Sequence, residues 1–110
     1  MGKLYYDESA EIDVEDRVLA HLQIVIVAKL RRNEAFLLSW RSDPGAGDGR
    51  NAIWLHPALS LRFTYFGGRM PRINPAWIAE LTDLANSAGG LYATAEPAEP
   101  VRPASRSNRG

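Results

Sequence analysis

The chain contains no cysteine. Disulfide staples, thiolate zinc sites and thiol chemistry are therefore excluded. Lysine is almost as scarce, with Lys3 and Lys29 the only examples, and histidine occurs only at His21 and His56. Two histidines without spaced acidic partners do not make a metal site, so neither a metal nor a cofactor is expected. The formal net charge is zero over 110 residues, which gives no bulk pull toward nucleic acid or membrane. The longest apolar run, Ile24 to Ala28, is too short to cross a bilayer. The opening residues hold no long apolar stretch of the secretory type. Tyr6 stands where a myristoylation motif requires Ser or Thr. A cytoplasmic protein without membrane association is expected. There is no Gly-x-Ser-x-Gly nucleophile elbow. Gly45-Ala46-Gly47-Asp48-Gly49 lacks the Gly-Lys-Ser/Thr ending of a phosphate loop and precedes a strand, so it reads as an exposed hairpin tip.

What is present suffices for one domain. Hydrophobic residues make up 45% of the chain, an ordinary globular share. Lys3 to Tyr6 predicts a first strand, and Glu11 with Ile12 a brief return strand. Asp13 reads as an N-cap, with Glu15 and Asp16 in the first turn of a helix from Val14 to about Arg31. Val18, Leu19, Leu22, Val25, Ile26 and Leu30 form its apolar stripe, and His21 is expected at the wet edge. Gln23 to Val27 is rich in β-branched residues and also suits a strand; the acidic start and the basic end (Lys29, Arg31, Arg32) favour helix. Ala35–Arg41, Asn51–His56 and Leu59–Phe66 read as strands. Asn74 caps a second helix, Pro75 fills its first position, and Gly89-Gly90 closes it. Leu91 to Thr94 is a last short strand. Residues 95–110 are mostly Pro, Ala, Glu, Ser and Arg with one Val, so a domain over 1–94 with a disordered tail is expected. The order β-α-β-β-β-α-β predicts an α+β, two-layer sandwich: a mainly antiparallel sheet with two helices on one face.

The other sheet face is the candidate surface. Leu59, Leu61, Phe63 and Tyr65 alternate with Ser60, Arg62 and Thr64, the period of a half-buried strand. With the apolar set toward the helices, Arg62 faces outward and is joined by Ser39, Arg41, Trp54 and His56. An exposed tryptophan among arginines is a platform on which an unpaired base can stack. Gly67-Gly68-Arg69-Met70-Pro71-Arg72 adds Arg69 and Arg72 ahead of a helix N-terminus, where a phosphate can sit. Acidic residues crowd the first sixteen positions and cations dominate from Arg17 to Arg72; these charges can equally pair within the fold. The expectation is a non-catalytic binding domain. Its partner is single-stranded nucleic acid met through Arg41, Trp54, His56, Arg62, Arg69 and Arg72. The alternative is a protein-interaction or homodimerisation module with that face covered.

Several segments carry a resemblance. They are Met1-Gly2-Lys3-Leu4-Tyr5, Ile12-Asp13-Val14-Glu15-Asp16-Arg17, Leu19-Ala20-His21-Leu22, Lys29-Leu30-Arg31-Arg32, Ser39-Trp40, Ile53-Trp54-Leu55-His56-Pro57 and Asn86-Ser87-Ala88-Gly89-Gly90. Together they resemble a small uncharacterised domain family of actinobacterial proteins over roughly residues 1 to 94. Its members are often labelled "ATP-dependent DNA ligase", so the resemblance implies a link to DNA joining. It brings no catalytic residues. Self-adenylating ligases use a lysine in a Lys-x-Asp-Gly setting. Lys3 is followed by Leu-Tyr-Tyr and Lys29 by Leu-Arg-Arg, so neither matches, and a complete ligase is not expected.

Overall fold

The computed structural model describes residues 1–7, 10–41 and 49–99. The elements run β1 (Gly2–Tyr6), β2 (Ala10–Val14), α1 (Asp16–Arg31), β3 (Phe36–Arg41), β4 (Arg50–Leu55), β5 (Leu61–Thr64) and α2 (Pro75–Ala85). Five strands and two helices make the α+β fold expected. The strands divide into two antiparallel sheets. The first has the order β2-β1-β5, and the second pairs β3 with β4. α1 packs on β1, α2 packs on β3, and the helices pack on each other, so one core serves both sheets. Leu4 and Ile12 enter it from the first sheet, Phe36, Leu38 and Leu55 from the second, and Leu19, Ile26, Trp77 and Leu81 from the helices. No helix among the described residues is long and apolar enough to cross a membrane.

Several local expectations change. Val14 belongs to β2, not to α1, because Gly2 and Val14 are partners in the β1–β2 ladder. Gly2 lies so close to α1 that an added Cβ would stand 2.8 Å from both Leu19 Cδ2 and the Thr64 carbonyl oxygen. Asp13 is consequently not a cap. It faces Lys3 across the ladder and accepts from its Nζ at 2.7 Å. α1 starts after Glu15 without a side-chain cap. Gln23 to Val27 is helical, since helical period buries Val25 and Ile26 together against the core. α2 starts as expected, with Asn74 Oδ1 accepting from the Ala76 N–H at 3.0 Å and Pro75 at the first position.

β5 does not continue the β3–β4 hairpin. A turn after β4, closed by the Leu59 N–H on the His56 carbonyl at 3.0 Å, sends the chain across to β1. Leu91 forms a single parallel bridge to Leu38 in place of a strand. Gly90 before it has φ +86° and approaches Leu37 so closely that a Cβ would lie 2.7 Å from the carbonyl oxygen, a position only glycine fits without strain.

Beyond residue 94, Glu96 and Pro97 make hydrogen bonds to the fold. Glu96 accepts two hydrogen bonds from Arg17, at 2.7 and 2.6 Å, and one from Asn74 Nδ2 at 2.9 Å. Asn74 Nδ2 also donates to the Pro97 carbonyl at 2.9 Å. These ties are polar, so apolar composition gave no sign of them. The rest of the expected tail, 100–110, and the Gly45–Gly49 hairpin tip except Gly49 lie outside the described residues.

Candidate binding surface

Alternation along β3 and β4 sends Leu38 and Leu55 into the core and Leu37, Ser39, Arg41, Arg50, Ala52 and Trp54 to the other face. The register sets Leu37 opposite Trp54, Ser39 opposite Ala52 and Arg41 opposite Arg50. Trp54 is 59% exposed. The outward face of the second sheet thus carries an indole at one end, two guanidinium groups at the other, and only Ala52 and Ser39 between. Like charges directly opposite in a ladder repel, and among the described residues neither arginine meets a carboxylate. A groove of about 760 Å³ adjoins this end, lined by Trp40, Arg41, Arg50, Ala52 and Tyr92 among others.

The expected site residues do not form one patch. Arg41 and Trp54 share the face just described. Arg62 lies in the first sheet, paired with Tyr5, and its guanidinium covers the Tyr5 ring at 4.3 Å, a cation–π contact. The route taken by β5 separates it from Trp54. His56 is half-buried in the turn beyond β4. Arg69 is exposed in the loop before α2. Arg72 pairs with Glu99 at 3.1 Å, and its carbonyl accepts from Arg17. In that loop the Phe66 and Gly67 N–H groups donate to the Asp16 carboxylate at 3.0 and 2.8 Å. Those two bonds, Phe66 first, hold Asp16 below the ordinary carboxylate range. Asp16 therefore takes the Phe66 and Gly67 N–H groups at the start of that loop. Arg50, Tyr92 and Trp40 are the residues that sequence reasoning missed. Starting the strand at Asn51 left Arg50 outside it, and only the register shows that it faces Arg41.

His21 is fully buried, not at a wet edge. Its Nε2 accepts from the Asn74 N–H at 2.9 Å, so Nδ1 carries the proton and donates to the Arg17 carbonyl at 2.7 Å. The ring lies 4.5 Å from that of Trp77. The signal was available: His21 stands three residues after Val18 and four before Val25, on the apolar stripe. The polar cluster extends outward through Asn74 to Glu96, whose carboxyl is lowered to about 2 by the Arg17 hydrogen bonds first and Asn74 second.

Both lysines are engaged. Lys3 Nζ donates to Asp13 and Glu11 at 2.7 and 2.8 Å, and those bonds, Asp13 first, raise it above the ordinary lysine range. Lys29 is buried, donates to Asn86 Oδ1 at 2.6 Å and pairs with Glu34 at 3.0 Å. Attack on a phosphate requires a neutral, accessible amine, and neither environment provides one. Among the described residues no group of three or more His, Asp or Glu is placed to hold a metal ion.

The class defined by this geometry is a small α+β domain with both helices packed beneath a split β-layer. The chain belongs to the family described as a domain of unknown function, DUF7882, which matches residues 1–96. That match reaches Glu96, the residue that ties the end of the domain to Arg17. No curated protein and no solved structure matches the chain.

Proposed function

We propose that the chain is a non-catalytic, cytoplasmic binding module that holds single-stranded nucleic acid along the outward face of β3 and β4. The observation that carries this reading is the exposed Trp54 in register with the Arg41–Arg50 pair across a floor of Ala52 and Ser39. Trp54 and Arg50 are four residues apart on β4, about 13 Å at strand rise. A base stacked on the indole leaves its neighbouring phosphates within reach of the guanidinium groups, and aromatic stacking with backbone neutralisation is the common chemistry of single-strand binding. The expected surface is thereby narrowed to Arg41, Arg50 and Trp54, with Tyr92 at its margin; Arg62 and Arg72 drop out because they have partners in the fold. A link to DNA joining, as the ligase label implies, would be that of an accessory domain, since Lys3 and Lys29 are both held in hydrogen bonds.

The test is fluorescence anisotropy of a labelled oligo-dT against the full chain at several salt concentrations. Binding is expected, and log affinity should fall linearly with log salt, because each neutralised phosphate releases counterion. Binding without salt dependence, or no binding at low salt, overturns the reading. Homo-oligomerisation through the same face predicts a concentration-dependent elution volume that oligo-dT does not alter.

A further inference from the structure

The strand period that builds the core also shapes a second cavity, of about 360 Å³. Residues of β1, β2, α1, β3 and the segment after α2 line it. Alternate residues of a strand point to opposite faces. On β2 that period turns Ile12 and Val14 inward and Asp13 outward. On β3 it turns Leu38 and Trp40 inward and Ser39 and Arg41 outward. The cavity touches both sets. Leu4 and Leu22, both buried, add to its inner wall. It is therefore apolar at its inner end and polar at its mouth. The two charged residues at the mouth differ. The Asp13 carboxylate already accepts from Lys3 Nζ at 2.7 Å. Arg41 is exposed and meets no carboxylate among the described residues.

We propose that this cavity binds a free medium-chain fatty acid, its alkyl chain against Leu4, Ile12, Leu22 and Leu38 and its carboxylate on Arg41. The inference shares Arg41 and Tyr92 with the nucleic-acid surface but does not rest on that reading. Small-molecule sites are concave and mostly apolar, with a few polar groups that fix orientation, and they start at about 300 Å³. An apolar cavity of about 150 Å³ holds one benzene ring; on that scale this one takes a body of about ten carbon atoms. The charge at the mouth selects the head group. A guanidinium presents two parallel N–H donors to a carboxylate. An ammonium head would be repelled by Arg41 and would have to compete with Lys3 for Asp13. A plain hydrocarbon would fill the inner end and gain nothing from Arg41.

The test is calorimetric titration of the full chain with straight-chain carboxylates from hexanoate to dodecanoate, each below its micelle concentration. Affinity should rise about fourfold for each added methylene, the effect of burying one CH₂, and stop rising once the cavity is full, near decanoate. Decylammonium should bind more weakly than decanoate. In methyl NMR spectra decanoate should shift Leu4, Ile12, Leu22 and Leu38 and leave Leu81 in place. Ala93 lines the cavity and is exposed, so Ala93→Trp should fill the mouth and abolish decanoate binding without loss of thermal stability. Arg41→Glu should reverse the preference, from decanoate to decylammonium, a gain that a misfolded variant cannot produce. No binding, affinity that keeps rising through dodecanoate, equal affinity for the two head groups, methyl shifts elsewhere, indifference to Ala93→Trp, or no reversal in Arg41→Glu would each overturn the proposal. The titrations contain no nucleic acid, so failure of oligo-dT binding leaves the proposal standing, and failure of decanoate binding leaves the nucleic-acid reading standing.

Discussion

The outward faces of the two sheets are built from similar residue types and reach opposite electrostatic ends. On the first sheet Lys3 sits between Glu11 and Asp13, and Arg62 lies over the Tyr5 ring. Every cation there has a partner one strand away. On the second sheet Arg41 faces Arg50, Trp54 is open, and among the described residues no carboxylate approaches. Both faces combine cations with aromatic rings. Cross-strand register divides them into one face that is satisfied internally and one that is not. The second is the functional candidate because its charges still have something to gain from a partner.

Four experiments sharpen or break this contrast. The largest effect concerns the core beneath the two faces. Leu4→Ala under the first sheet and Leu38→Ala under the second should each cost about 2–5 kcal/mol, and each variant should melt in one transition with both near- and far-ultraviolet signals. Two separated transitions would mean that the sheets do not share a core. Next comes Trp54→Ala, expected to cost about 1–3 kcal/mol of oligonucleotide affinity with the melting temperature unchanged. Tyr5→Ala on the opposite sheet should leave affinity untouched, and equal losses would erase the distinction between the faces. A smaller effect is expected from Arg50→Ala. It should lower the slope of log affinity against log salt by about 0.7 for each phosphate no longer neutralised, whereas Arg62→Ala should not alter the slope.

The last prediction follows the polar tie at the end of the domain. The folded Glu96 carboxyl titrates at about 2, below its ordinary value of 4.5. Its contribution is therefore complete above about pH 4.5 and is lost as pH falls toward 2. Glu96→Gln should flatten that acid limb of stability, while Lys3→Met in the first sheet should leave the limb in place. An unchanged acid profile in Glu96→Gln would show that the Arg17–Glu96 pair does not couple to folding.

Much of the layering was legible because it follows from period and punctuation. Asn74 and Pro75 announced α2. Alternation from Leu59 to Tyr65 separated the inward from the outward side of β5. The stripe from Val18 to Leu30 gave α1 despite its β-branched centre. The errors share a cause. Asp13 looks like a helix cap until Lys3 is seen beside it across the β1–β2 ladder. His21 looks polar by type although its helical position is apolar. Arg62 was joined to Trp54 because consecutive strands usually pair, and here β5 crosses to β1.

The amino-acid order alone determined which residues turn inward, since burial follows the 3.6- and 2-residue periods of local backbone geometry. It also determined what chemistry is out of reach, since no fold can supply a thiol or a Lys-x-Asp-Gly lysine that the chain does not contain. Only the tertiary structure decided which strands became neighbours, and with that which charges were neutralised. Pairing between distant strands depends on the path of the whole chain through the Pro57 turn and across the core, and no local pattern encodes that path.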